Sequence, residues 1–252
     1  MVKLIGLDKI LTKGKAFYLA YDQGIEHGPS DFNDENVNPL RIIEIARKGG
    51  FNGLIVQKGI AEKYYKEIKK SKVPLILKLN GKTNLYKGEP LSRQLCSIKE
   101  ALELGATAVG YTIYLGSKYE PIMLKEFEKI EEDAHDLGLP VIAWLYPRGK
   151  SVEKLDKAKL MVYAARVGLE IGADIAKISY HGSVKDLKWA VKYAGRTKVV
   201  IAGGLKENEK NLLKKAREIM RCGCTGMAVG RNVWQDKSPL EMARELRKII
   251  LG

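Results

Sequence analysis

Eight short apolar runs recur along the chain: AFYLAYD (16–22), GLIVQ (53–57), PLILKLN (74–80), AVGYTIY (108–114), PVIAWLY (140–146), DIAKIS (174–179), KVVIAGG (198–204) and GMAVGRN (226–232). Within each run the apolar residues are continuous rather than alternating, the pattern of parallel strands covered on both faces. Longer stretches lie between them, among them 91–105, 119–138, 154–172 and 208–223. Their apolar residues recur at three- and four-residue spacing, and several end in glycine, a usual helix stop. Eight strand-then-helix units in 252 residues predict an α/β fold, a (β/α)8 TIM barrel, as one domain over 1–252. A doubly wound open sheet is the alternative, and it usually needs fewer strands at this length. No linker, low-complexity tract or short-period repeat divides the chain.

A barrel of this kind carries its chemistry at the carboxyl ends of its strands. Those ends hold Asp22 with the loop QGIEHGPSDF, Gln57–Lys58, KLNGKT from Lys78, and Tyr114. They continue with Trp144, Tyr146 and Arg148 in WLYPRG, Lys177 with Ser179, Gly203–Gly204, and Gly230–Arg231. The opposite ends carry little beyond structural glycine and proline. The loops after the seventh and eighth strands, AGGLKEN and AVGRNVW, are where such barrels often bind phosphate. Glycines let backbone N–H groups approach an anion, a following helix start adds its positive end, and Arg231 can clamp bidentately. Either loop alone reads as readily as a tight turn; both together favour phosphate.

The stretch GADIAKISYHG (172–182) places Lys177 at the centre of a buried run, where an ammonium is costly unless paired or neutralised. An ordinary lysine is a free amine at pH 7 in only about one molecule in a few thousand, and burial raises that fraction. A desolvated lysine is a nucleophile able to form a Schiff base with a ketone. The bland reading is a lysine whose head reaches a carboxylate or the rim. Lys78 competes for the same role, one lysine serving as nucleophile and the other as phosphate ligand or as a charge that lowers its partner's pKa. Tyr146 closes the strand next to that of Lys177 and offers a proton carrier for carbon–carbon cleavage through an imine. Trp144 shares its parity and forms either a substrate wall or a rim packing contact. Asp22 holds a lysine ammonium, binds substrate hydroxyls or caps its loop; His27 binds a hydroxyl or a second phosphate, or is a surface histidine. Of three histidines, His135 falls mid-helix away from the rim, which argues against a three-histidine zinc site. Neither metal nor cofactor is expected.

Composition narrows the partners. With 45% hydrophobic and 29% charged residues the chain reads as an ordinary folded protein. Its 44 basic against 30 acidic residues leave +14, favouring an anionic ligand, whether nucleic acid or a phosphorylated metabolite. The basic residues are interleaved with glutamate through the predicted helices, a solvated shell rather than a nucleic-acid stripe. Cys96, Cys222 and Cys224 cannot build a disulfide framework, so a reducing cytoplasm is expected, and Cys222-Gly-Cys224 lacks a second pair to hold a metal. Lysines interrupt the apolar residues at the amino end, and no window approaches a membrane span; neither a signal peptide nor a membrane partner is expected.

The segments AYDQGIEHGPSDF, LKLNGKTNL, AWLYPRG and AKISYHG, with the two glycine loops, resemble the archaeal-type class I fructose-1,6-bisphosphate aldolases. The resemblance runs from about residue 16 to 235. It implies a metal-independent Schiff-base lyase that reversibly cleaves fructose 1,6-bisphosphate to dihydroxyacetone phosphate and glyceraldehyde 3-phosphate, in glycolysis or gluconeogenesis. By match of motif, Lys177 forms the Schiff base and Tyr146 is the main proton-transfer residue. Asp22, His27 and Trp144 line the substrate site beside Lys78, Arg148 and Ser179, while Gly203, Gly204, Gly230 and Arg231 hold a phosphate. Members assemble as large homo-oligomers, often decamers. A related branch, the 2-amino-3,7-dideoxyheptulosonate synthases of aromatic amino acid biosynthesis, keeps the same lysine, tyrosine and aspartate but tends to read DHG where this chain has DQGIEHG. A basic nucleic-acid-binding protein with a decayed barrel site is the reading from another class, and the ordered polar rim argues against it.

Overall fold

A computed structural model describes residues 5–252. Its eight parallel strands are β1 (Ala16–Ala20), β2 (Gly53–Gln57), β3 (Leu75–Lys78), β4 (Ala106–Leu115), β5 (Val141–Pro147), β6 (Ile175–Ser179), β7 (Lys198–Ala202) and β8 (Gly226–Val229). Each pairs with its neighbours in chain order and β8 closes onto β1, so the sheet is the closed barrel that the apolar runs predict. An outer ring follows: α1 (Pro39–Lys48), α2 (Tyr65–Ser71), α3 (Ile98–Glu103), α4 (Glu120–Asp136), α5 (Lys157–Glu170), α6 (Val184–Tyr193), α7 (Glu209–Arg221) and α8 (Pro239–Leu251). Local chemistry sets several of their starts. Asn38, Asp156 and Asn208 accept backbone N–H groups of the first turns of α1, α5 and α7, and Ser97 with Glu100 and Ser183 with Asp186 form capping boxes on α3 and α6.

Alternation along the strands sorts the core into two layers. Phe17 and Leu19, Ala143 and Leu145, Ala176 and Ile178 pack outward with the helices. Tyr18, Ile142, Trp144, Ile175 and Val200 turn inward and fill the barrel. Lys177 shares the parity of Ile175, so its side chain enters the barrel and not the helix layer. Ile10, fully buried with Leu7 and Leu11 packed beside it, joins that inner cluster from the amino end of the chain.

The ends of the elements depart from the sequence expectation in an informative way. The runs 16–22, 198–204 and 226–232 leave the sheet at residues 20, 202 and 229, and Arg231–Trp234 is a helical turn. Asp22, Gly203, Gly204 and Gly230 therefore sit on loops and Arg231 opens a helical turn, none of them in a strand. The helix expected over 91–105 covers only Ile98–Glu103. Arg93–Gln94 pairs antiparallel with Asn80–Gly81 instead, because the Ser97 capping box starts the helix late. His135 lies near the carboxyl end of α4, with Nε2 2.9 Å from Asp174 Oδ2 and Nδ1 2.8 Å from Glu131 Oε1. Asp174 directly precedes β6, so this cluster is at the end of the barrel opposite the rim. No helix among the described residues is long and apolar enough to cross a membrane.

Candidate active site

A cavity of about 170 Å³ opens at the carboxyl ends of the strands. One wall is built by β5 and β6 and carries Trp144, Tyr146, Arg148, Lys177 and Ser179. Facing it are Asp22 and His27 from the segment after β1, and Lys78 from the end of β3. Gly203 and Gly204 after β7, with Gly230 and Arg231 after β8, complete the ring. All the candidate residues thus meet at one cavity, joined by Gln23 and Glu26. A larger hollow of about 450 Å³ lies behind Arg148 and Ser179, against α5; it is walled mainly by apolar residues and contains neither lysine.

The two lysines, equivalent on sequence grounds, differ in their surroundings. Lys78 Nζ is 3.3 Å from Asp22 Oδ2, a buried ion pair. Burial pushes the Asp22 carboxyl upward, but the charges of Lys78 and Lys177 outweigh it and hold the group below the usual carboxylate range. Lys177 has no carboxylate at ion-pair distance among the described residues; its Nζ stands over the Trp144 ring, 4.6 Å from the centroid. Burial lowers its pKa to about 8, with the charge of Lys78 acting the same way and Asp22 opposing. Lys78 is the paired cation and Lys177 the amine.

Trp144 borders both lysines, since Lys78 Nζ also lies 5.9 Å from the ring centroid. The indole finds room there because β4 carries Gly110 opposite it: a Cβ at that position would stand 1.6 Å from Trp144 Cζ3. Gly110→Ala is therefore expected to destabilise the protein by about 3 kcal/mol and to lower turnover, by driving the indole from its place beside the lysines. Urea denaturation with a cleavage assay checks both; unchanged stability would mean that the ring is not confined. The Tyr146 hydroxyl is held protonated by burial, reinforced by the charge of Asp22.

At the mouth, Arg148 donates from Nη1 to Glu26 Oε1 at 2.7 Å, and its guanidinium lies over the rings of Tyr114 and Tyr146 at 5.5 and 5.4 Å. Arg231 donates from Nη2 to Gly204 O at 3.4 Å and from Nη1 to Asp31 Oδ1 at 3.3 Å. One expectation needs correction. The N–H of Gly203 donates to Ala228 O at 2.8 Å and is not available to an anion. Asn232 fixes that loop through Nδ2, donating to the carbonyls of Gly203 and Leu205. Gly204, with φ +74°, turns the chain out of the sheet, leaving its own N–H, that of Gly230 and the Arg231 guanidinium for an anion. Among the described residues, the buried donors Trp144 Nε1 and Gln23 Nε2, like the Tyr18 and Thr112 hydroxyls, have no hydrogen-bond partner. Glu26, Asp31, Gln23 and Gly110 were not singled out by sequence, although three of them lie in the quoted loop after β1.

Comparison with known proteins places this arrangement. The model of the DeoC/LacD family aldolases matches residues 16–236. A fructose-bisphosphate aldolase class 1 from Thermoproteus tenax is 49% identical over 243 residues, which is 95% of this chain and 91% of that protein. A fructose-bisphosphate aldolase/6-deoxy-5-ketofructose 1-phosphate synthase from Methanocaldococcus jannaschii is 39% identical over 251 residues, 92% of this chain and 80% of that one. The solved structure of an archaeal fructose-1,6-bisphosphate aldolase, whose catalytic lysine is covalently bound to the carbinolamine intermediate of its substrate, matches with a TM-score of 0.91 at 48% identity, over 96% of this chain and 97% of that one. A paired and an unpaired lysine inside a closed barrel, on a chain this similar to those proteins, leave one assignment: the chain belongs to the DeoC/LacD family of aldolases.

Proposed function

We propose that this chain is a class I fructose-bisphosphate aldolase that cleaves fructose 1,6-bisphosphate reversibly to dihydroxyacetone phosphate and glyceraldehyde 3-phosphate through a Schiff base on Lys177. The observation that carries the reading is a buried amine, seated over the Trp144 ring, with no carboxylate at ion-pair distance among the described residues; burial lowers its pKa to about 8. At pH 7 about a tenth of it is free amine, against about three in ten thousand for an unperturbed lysine. Lys177 attacks the C2 carbonyl of the open-chain sugar, and the carbinolamine loses water to an iminium. The C3–C4 bond then breaks as the C4 hydroxyl gives up its proton; the bonding pair passes into the iminium and leaves an enamine. Protonation at C3 and hydrolysis release the second triose phosphate and restore the lysine.

Each neighbour has a part in this reading. Tyr146 exchanges the proton with the C4 oxygen and the enamine in concert with bond breaking, because burial disfavours a standing phenolate. Asp22 stays charged and faces the cationic iminium, while Lys78 neutralises it in the resting site and lowers the pKa of Lys177. Trp144 supplies a wall, and Ser179 and His27 meet sugar hydroxyls. Gly204, Gly230 and Arg231 take one phosphate; Gly203 shapes that loop. Arg148, just after β5, takes the other. Cationic groups on separate sides of one cavity favour a bisphosphate over the heptulosonate branch, which would share the imine but pass the enamine to another acceptor. A route in glycolysis or gluconeogenesis follows from the substrate.

One barrel domain over 1–252, assembly as a homo-oligomer of up to ten copies and a cytoplasmic location belong to the same proposal. Exposed Tyr163, Trp189 and Tyr193 on α5 and α6 support assembly, and three buried free cysteines suit a reducing compartment. The test is reduction with borohydride in the presence of fructose 1,6-bisphosphate, followed by peptide mass spectrometry. An adduct on Lys177 is expected; no adduct, or one confined to Lys78, would refute the mechanism.

A further inference from the structure

Carboxylates at a rim that holds anions are out of place on charge alone, yet two reach it from the segment after β1. Glu26 holds Arg148, as described. Asp31 does more, because its two oxygens serve two different side chains. Oδ2 lies 2.6 Å from His27 Nδ1 and Oδ1 lies 3.3 Å from Arg231 Nη1. The backbone there is pinned: Gln235 Nε2 donates to Asp31 O at 2.7 Å, and the next residue, Phe32, stacks on Trp234 with centroids 5.8 Å apart. Trp234 is anchored in turn by Nε1 donating to Ala20 O at 3.0 Å. The Asp31 side chain is only 12% exposed and does not line the cavity, whereas His27 and Arg231 both do. It lies outside the cavity lining and touches two groups that belong to it.

We infer that Asp31 is a positioning residue that sets the hydrogen-bonding role of His27 and holds Arg231 against the loop after β7. This rests on the aldolase reading for its substrate, not for its geometry. A carboxylate only accepts, so His27 Nδ1 carries the proton it shares with Asp31. In the neutral ring Nε2 is then an acceptor, and it has no partner among the described residues. An acceptor meets a sugar hydroxyl and repels a phosphate oxygen, which has no proton to give. Asp31 thereby assigns His27 to a hydroxyl of the sugar and leaves the phosphate to Arg231, whose Nη2 it steadies beside Gly204 O at 3.4 Å. Two groups supplied by loops at opposite ends of the chain are set by one side chain.

Asp31→Asn separates the two roles. Its amide oxygen still accepts from Arg231, but its NH2 donates to His27 Nδ1 and moves the ring proton to Nε2, presenting a donor where the substrate hydroxyl needs an acceptor. The tautomer is read from two-bond nitrogen–proton correlations of protein labelled with ¹⁵N-histidine, at a pH where the ring is neutral; His27→Gln identifies the resonance. The wild type should show the Nδ1–H form and Asp31→Asn the Nε2–H form. KM for fructose 1,6-bisphosphate should rise roughly tenfold to hundredfold, with the melting temperature unchanged and the borohydride adduct on Lys177 still formed at saturating substrate. A wild-type ring in the Nε2–H form, a variant that keeps the Nδ1–H form, or a KM within twofold of wild type overturns the inference. Absence of any adduct in the wild type overturns the aldolase reading instead, and the tautomer of His27 still decides whether Asp31 sets the ring.

Discussion

Lys177→Met is expected to abolish cleavage and, at neutral pH, to make the protein more stable. Loss of the amine removes the only route to the iminium, so turnover should fall by about 10⁴-fold or more. The stability gain comes from the same property that makes the lysine reactive. Its pKa is about 8 in the folded protein against 10.5 for an ordinary, solvated lysine. That difference means the fold carries a penalty of about 3 kcal/mol for holding the ammonium. Below pH 8 both folded and unfolded chains are protonated here and the penalty is present in full. Between pH 8 and 10.5 the folded chain releases the proton while the unfolded chain keeps it, so wild-type stability rises with pH. Above 10.5 both forms are neutral and the penalty is gone. Methionine fills a similar volume and carries no charge, so its advantage should be largest below pH 8 and vanish toward pH 10.5. Urea denaturation of both proteins at pH 7 and pH 10 measures the difference. A variant no more stable than wild type at pH 7 would show that the ammonium is well solvated, and the argument for a primed amine would fail with it. In the wild type, kcat/KM should climb with pH toward a plateau above an apparent pKa near 8.

The readability of this fold and site from sequence divides along a physical line. Features generated within one strand or one loop are legible. The continuous apolar runs announce a sheet covered on both faces, and the alternation Ile175, Lys177, Ser179 already sends the lysine to one side of it. What sequence leaves open is decided by partners on other strands. Lys177 and Lys78 look alike as residues; they are told apart by Asp22, which reaches Lys78 and not Lys177. Glu26 meets an arginine 122 residues away and Asp31 one 200 residues away, so their roles emerge only when the barrel closes. Gly110 reads as a weak strand residue until the indole of Trp144, from the neighbouring strand, comes to lie over it. The expected helix over 91–105 fails for a local reason, since the capping pair Ser97–Glu100 outweighs the periodicity before it. Residues 5–11 show neither period because Gly6 and the pair Asp8–Lys9 break up their four apolar side chains, yet Ile10 is among the most deeply buried residues of the barrel.

Tyr146→Phe is expected to lower kcat by about 10² to 10⁴ while leaving KM and the fold nearly unchanged. The reason lies in what the ring does apart from its oxygen. Arg148 stacks 5.4 Å from the ring centroid and meets a phenyl ring almost as well, so the mouth of the site should keep its shape. Among the described residues the hydroxyl has no hydrogen-bond partner in the protein, so its removal leaves no group unsatisfied and the melting temperature should stay within a few degrees. Chemistry is different. Attack by Lys177 on the ketone does not require the Tyr146 oxygen, whereas breaking C3–C4 requires that the C4 hydroxyl lose its proton to something beside it. The variant should therefore stall with the six-carbon sugar bound as iminium. Borohydride reduction then traps an adduct on Lys177 whose mass is that of the intact bisphosphate, where the wild type yields a mixture that includes the three-carbon fragment. The partition of the two masses reads the step at which Tyr146 acts, independently of the rate. If the variant turns over like wild type, the proton travels elsewhere; if it traps only the three-carbon fragment, cleavage does not need the hydroxyl and Tyr146 serves a later step.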